Sequence, residues 1–211
     1  MSLGREFAVI SYQLFSRLFI NKTTGDDLRD YIAFIEESSP QKDGVLSGLH
    51  GCFKELLEKN DISEVEKKLG SEYTRLFHLW EGVRPYESVY RGQEPLLKQE
   101  PWVRVKKFYA ERGWYMDQQV CLEDHVAVEM SFMAHLLASE EWQDAKDFFQ
   151  QHLGRWAPKL MSDVCKNRHT DFYREVASYC LSFLEDEKAF YEGNEVFNEG
   201  GEINREQYSK K

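Results

Sequence analysis

Apolar residues recur at intervals of three and four along almost the whole chain, the spacing that lines one face of an α-helix. Phe7, Ile10, Leu14 and Leu18 form one such stripe, Leu28, Ile32 and Ile35 a second, and Val45, Leu49, Phe53 and Leu56 a third. Turn and capping residues separate them at Thr23-Thr24-Gly25, Ser38-Ser39-Pro40 and Asn60-Asp61, so three helices are expected before residue 60. A fourth is expected from Ile62 to about Phe77, carrying Val65, Leu69, Tyr73, Leu76 and Phe77. No alternating run is long enough to propose a sheet. The expected fold is therefore all-α, a single domain of about nine to ten helices or two subdomains sharing an interface.

The periodicity stops between His78 and Pro101, where Gly82, Pro85, Gly92, Pro95 and Pro101 break any helix. A long irregular connection inside a compact domain is uncommon and often functional. Helical spacing resumes over Trp102–Arg112, and from Asp124 as Val126, Met130, Met133 and Leu137. Further helices are expected over Glu141–Leu153, Ala157–Asn167 and Phe172–Tyr191, the last with an apolar face broad enough to make it central. The domain is thus expected to span residues 1–191, with 78–101 joining its halves. Residues 192–211 are polar and sparse in apolar side chains, the composition of a mobile tail or one that docks only on a partner.

The formal charge of −10 argues against a nucleic-acid partner, since phosphate binding needs an excess of Lys and Arg. Neither a secretory signal nor a run of about 20 apolar residues is visible, so a soluble protein is expected. Cys52, Cys121, Cys165 and Cys180 lack the paired spacing of a zinc site and read as thiols in a reducing cytoplasm. Phosphate loops, dinucleotide turns, nucleophile elbows, His-Glu-x-x-His and Glu-x-x-His metal motifs are all missing.

Two segments remain as candidates. In the first, Asp124 stands where a helix starts, and His125 and Glu129 are four apart on one face. Asp124 as a helix cap with a surface His125–Glu129 pair is one reading. Carboxylates and an imidazole at the mouth of a groove, holding a cationic partner segment, is another. A small enzyme or metal-handling protein centred on Asp124, His125 and Glu129, with Cys121 as a further ligand, is a third. In the second segment, Tyr73, Leu76 and Phe77 have core spacing, whereas Trp80, Pro85, Tyr86, Glu87, Ser88 and Tyr90 put amphipathic rings in a loop, as peptide-binding surfaces do.

Glu72-Tyr73-Thr74-Arg75-Leu76-Phe77, then Pro85-Tyr86-Glu87-Ser88-Val89-Tyr90, then Asp124 through Met133 together resemble the TorD/DmsD/NarJ family of molybdoenzyme maturation chaperones. Phe108-Tyr109, His152-Leu153, Trp156, Pro158 and Phe172-Tyr173 continue the resemblance, which spans roughly 69–184. The resemblance implies a cytoplasmic, all-helical, non-enzymatic chaperone. Its partner would be the apo catalytic subunit of a DMSO-reductase-type enzyme, often met through a twin-arginine signal peptide. It would hold that subunit until molybdopterin guanine dinucleotide is inserted, and delay export until then. Carried over by position, the binding surface would comprise Tyr73, Leu76, Phe77, Pro85, Tyr86, Tyr90, Asp124 and His125. Asp124, Glu129 and Glu87 would accept guanidinium groups beside an aromatic groove. Members also bind guanine nucleotides weakly, but no nucleotide loop is present, so the chain is expected to carry no cofactor. A monomer and a domain-swapped dimer both fit. The chain departs from the family pattern at His78-Leu79-Trp80-Glu81-Gly82 and at Cys121-Leu122.

Overall fold

The computed structural model describes residues 3–39, 44–116 and 121–193. These form ten α-helices with no strand among them: α1 (Leu3–Ile20), α2 (Gly25–Ser38), α3 (Gly44–Lys59), α4 (Ile62–Tyr73), α5 (Glu87–Arg91), α6 (Glu100–Glu111), α7 (Val126–Ala138), α8 (Trp142–Gln151), α9 (Leu153–Lys166) and α10 (Phe172–Glu192). The all-α expectation holds. The tail expectation falls, beyond residue 193, outside the described residues.

The centre is α7, whose sequence VAVEMSFMAHLLA is apolar on nearly every face and buries ten of its side chains. A helix without a polar face has to be enclosed. Its main partner is α1, which buries Tyr12, Phe15, Leu18 and Phe19. The longest helix, α10, keeps an exposed face and packs chiefly on α9, so the expectation that it would be central is corrected in favour of α7. A buried ion pair nevertheless fastens it to α1. Arg5 donates to both oxygens of Glu187 at 2.9 and 3.1 Å, and Tyr12 donates to the same carboxylate at 3.0 Å.

Local chemistry sets several helix starts. Thr24 and Asp27 form a capping box at α2: the Asp27 N–H reaches the Thr24 hydroxyl at 3.1 Å, and the Thr24 N–H reaches the Asp27 carboxylate at 2.7 Å. The fourth helix does run to Phe77 as expected, but its end opens into a π-turn, Thr74–His78. The expected irregular connection contains α5, a five-residue helix. α9 begins at Leu153, four residues before the expected start. Gly154 belongs inside it because a Cβ there would meet the Phe149 ring at 2.5 Å. Among the described residues, no helix is long and apolar enough to cross a membrane.

Candidate functional site

The two candidate segments meet. Residues 85–87 lie antiparallel to residues 124–126 as an isolated bridge centred on Tyr86 and His125. The Val126 N–H donates to the Pro85 carbonyl, and the Glu87 N–H to the Asp124 carbonyl, each at 2.9 Å. The Tyr86 ring stands edge-on to the His125 imidazole, with centroids 5.0 Å apart. This latch fixes the proline-bearing loop to the start of the central helix.

Asp124 is a cap, though not of its own helix. Its Oδ2 accepts the Ser88 backbone N–H at 2.9 Å and the Ser88 hydroxyl at 2.5 Å, satisfying the start of α5 from outside. His125 caps α7 instead, its Nδ1 accepting the Ala127 N–H at 3.1 Å. That bond requires an unprotonated Nδ1, and burial agrees by pushing the imidazole pKa down to about 3. The surface His125–Glu129 pair does not exist. Both residues are buried, and Glu129 Oε2 accepts from Trp156 Nε1 at 2.9 Å.

Beneath the latch lies a buried acidic cluster. Glu87 pairs with Arg91 through Oε1 and with His152 Nδ1 through Oε2 at 2.9 Å. Arg91 also donates to the Gln151 carbonyl at 2.6 Å. One oxygen of Asp124 and one of Glu129 have no hydrogen-bond partner. Burial holds the Asp124 pKa above its ordinary value, and holds Glu129 well above, with repulsion from Glu87 adding to the latter. The expectation of acceptors at an open groove mouth is therefore corrected: Glu87, Asp124 and Glu129 are each 0% exposed. Among the described residues, no three His, Cys, Asp or Glu side chains are placed to hold a metal. Burial also raises the Cys121 thiol to about 11, leaving it protonated at neutral pH.

Tyr73, Leu76 and Phe77 belong to packing. Leu76 is fully buried, the Tyr73 hydroxyl donates to the Ile20 carbonyl at 3.2 Å, and Phe77 packs edge-on to Phe19 and Tyr173. Glu72, one position earlier, caps α10 from outside as Asp124 caps α5. Its Oε2 accepts the N–H groups of Phe172 at 2.9 Å and Tyr173 at 3.4 Å. The π-turn is pressed against the loop. A Cβ on Gly82 would fall 2.1 Å from the Leu76 carbonyl oxygen, which also accepts the Val83 N–H at 2.7 Å. Among the candidates, Pro85 and Ser88 are buried and Tyr86 is half-buried. Tyr90 lies tilted against Trp156, centroids 5.6 Å apart, whereas Trp80 is 86% exposed.

Sequence reasoning missed Glu72, Arg91, His152 and Trp156 as site residues. Their partners lie 4 to 100 positions away, and only the Glu87/Arg91 spacing on α5 carries a local signal.

The described residues form an all-helical scaffold that clasps an aromatic loop against its central helix. The family model described as nitrate reductase delta subunit matches residues 44–162, and the chain belongs to that family. It is 27% identical over 204 residues to the chaperone protein TorD of Vibrio parahaemolyticus serotype O3:K6, covering 86% of this chain and 93% of that one. It is 25% identical over 205 residues to the TorD of Vibrio atlanticus, with the same coverage. A crystal structure assigned as a redox enzyme maturation protein from Archaeoglobus fulgidus shares the fold with a TM-score of 0.58. That match has 22% identity and covers 88% of this chain and 96% of that one. The relatives are chaperones, and this chain is classed with them as a chaperone rather than an enzyme.

Proposed function

We infer that this chain binds the apo catalytic subunit of a DMSO-reductase-type molybdoenzyme in the cytoplasm, holding it until its molybdenum cofactor is inserted and delaying export until then. The observation that carries this reading is the latch, which joins the loop of residues 79–98 to the central helix and leaves Leu79, Trp80, Leu96 and Leu97 facing solvent, with Tyr86 and Tyr90 half-buried. Trp80, Tyr86 and Tyr90 make the contacts. Asp124, His125, Glu87, Ser88 and Glu129 hold the loop in shape from beneath, and Tyr73, Leu76, Phe77 and Pro85 support it.

Affinity purification from the native host tests the reading. A molybdoenzyme catalytic subunit is expected to co-purify, with its yield reduced about 10-fold in Trp80→Ala, since exposed aromatic anchors dominate binding energy. Absence of any such subunit with the unmodified chain rejects it. The unpartnered oxygens of Asp124 and Glu129 favour a second reading. Opening the latch uncovers them, and they then accept the paired guanidinium groups of a twin-arginine signal peptide. Titration with that peptide is expected to show weaker binding in Asp124→Asn/Glu129→Gln; unchanged affinity removes this second reading and leaves the first standing.

A further inference from the structure

Beside the latch, the loop and α9 border an open groove of about 610 Å³, lined by Gly82, Val83, Val89, Tyr90, Pro95 and Leu96. Its margins are apolar as well. Leu96 is 60% and Leu97 40% exposed, and the Gly82 N–H closes a turn onto the Leu79 carbonyl at 3.1 Å, next in the chain to the exposed Leu79 and Trp80. Apolar surface left in water is costly, and contiguous patches of it mark interaction sites.

Charge at the groove selects the occupant. Two charged side chains line it, Arg84 and Asp163. Asp163 is compensated by an ion pair with Lys159 and by the Tyr90 hydroxyl at 3.5 Å. Arg84 is exposed, and while its carbonyl accepts the Tyr86 N–H at 2.9 Å, its guanidinium has no hydrogen bond or ion pair among the described residues. Of the acids of the same loop, Glu81 and Glu94 are not among the walls, and the buried Glu87 is paired with Arg91 and His152. The uncompensated charge is therefore positive, although the chain as a whole carries −10.

We propose that this groove receives an apolar segment of the client subunit that bears an acidic side chain at one end, which pairs with Arg84. The proposal rests on the chaperone reading, but it assigns a surface and a charge preference opposite to guanidinium recognition by the buried carboxylates. Apolar walls supply affinity, and the single guanidinium fixes the segment's direction and register.

The test uses the full chain and labelled peptides sharing one apolar core, flanked by Asp, by Lys or by Ser, with binding followed by fluorescence anisotropy. The Asp-flanked peptide is expected to bind at least about 5-fold more tightly than the Lys-flanked one. Arg84→Glu is expected to invert that order, and Leu96→Asp to weaken all three peptides about 10-fold. Both positions are exposed, and unchanged helical circular dichroism confirms that the variants fold. Lys preference, no preference, no binding of any peptide, or an order unmoved by Arg84→Glu overturns the proposal. Self-association of the chain that Leu96→Asp abolishes assigns the groove to a second copy and overturns it too. Co-purification of the catalytic subunit separates the two levels: retention by the unmodified chain and equally by Leu96→Asp sinks only the groove, whereas no retention by the unmodified chain sinks the chaperone reading.

Discussion

Glu129 is a carboxyl group taken wholly out of water. It sits on the central helix, 0% exposed, with one oxygen on Trp156 and the other unpartnered, facing Glu87 and Asp124 across the cluster. Arg91 and Tyr109 also act on it, and His152 pairs with the neighbouring Glu87. Because its folded pKa lies above the unfolded value, the folded state binds the extra proton. The associated stability is complete below the unfolded pKa, near 4.5, and is lost as pH rises toward the folded pKa. His125 has the opposite sign: its pKa falls from 6.5 to about 3, so its contribution is present above pH 6.5 and is lost as pH falls. Glu129→Gln is therefore expected to be more favourable relative to the parent at pH 8 than at pH 5, by at most about 1.4 kcal/mol per pH unit. Urea denaturation at the two pH values reads this; a pH-independent difference shows that Glu129 is ionised in the folded state. At this scale the sequence marked Asp124, His125 and Glu129 as unusual by position alone. It did not show their burial, because what covers them comes from α5 and α9, distant in the chain.

Helix starts distinguish what local sequence encodes from what only the assembled fold supplies. Thr24 and Asp27 cap α2 within one turn, and that break was legible from Thr-Thr-Gly followed by acids. By contrast, α5 and α10 have N-cap residues, Tyr86 and Asp171, that make no side-chain cap bond, and they rely on Asp124 and Glu72 instead. This explains why α5 was not foreseen: its five residues lie among prolines and glycines, and its stabilising carboxylate arrives from 36 positions away. Glu72→Ala is expected to lower stability by about 1–3 kcal/mol, because it leaves two buried N–H groups without an acceptor. It should also speed amide hydrogen exchange at Phe172 and Tyr173. Unchanged exchange at those amides shows that α10 keeps its first turn without Glu72. The long helices were legible because each carries several turns of periodic apolar residues, enough to outweigh errors at the ends. The start of α9 was not, because Gly154 and Pro158 resemble a break although packing against Phe149 requires the glycine.

One hydrophobic core runs from Ala8 to Tyr191, so α1 and α10 close the molecule on each other although they stand at opposite ends of the described chain. The Arg5–Glu187 pair is the polar part of that closure, and both side chains are 7% exposed. Arg5→Ala is expected to cost about 3–5 kcal/mol, since it strands a buried carboxylate, whereas replacing the pair together with apolar residues costs much less. Thermal denaturation of the single and double variants distinguishes this from a pair that contributes nothing. The core is also why the all-α architecture could be read before any coordinates: composition and periodicity speak to burial, which is collective, and not to which two side chains touch. The latch has a consequence for how such a molecule diversifies. Two main-chain hydrogen bonds hold the loop to α7, and main-chain bonds are indifferent to side-chain identity. Residues 79–81, 83–84 and 93–98 can therefore be exchanged by mutation around a fixed Gly82, changing the exposed surface while the scaffold stays as it is.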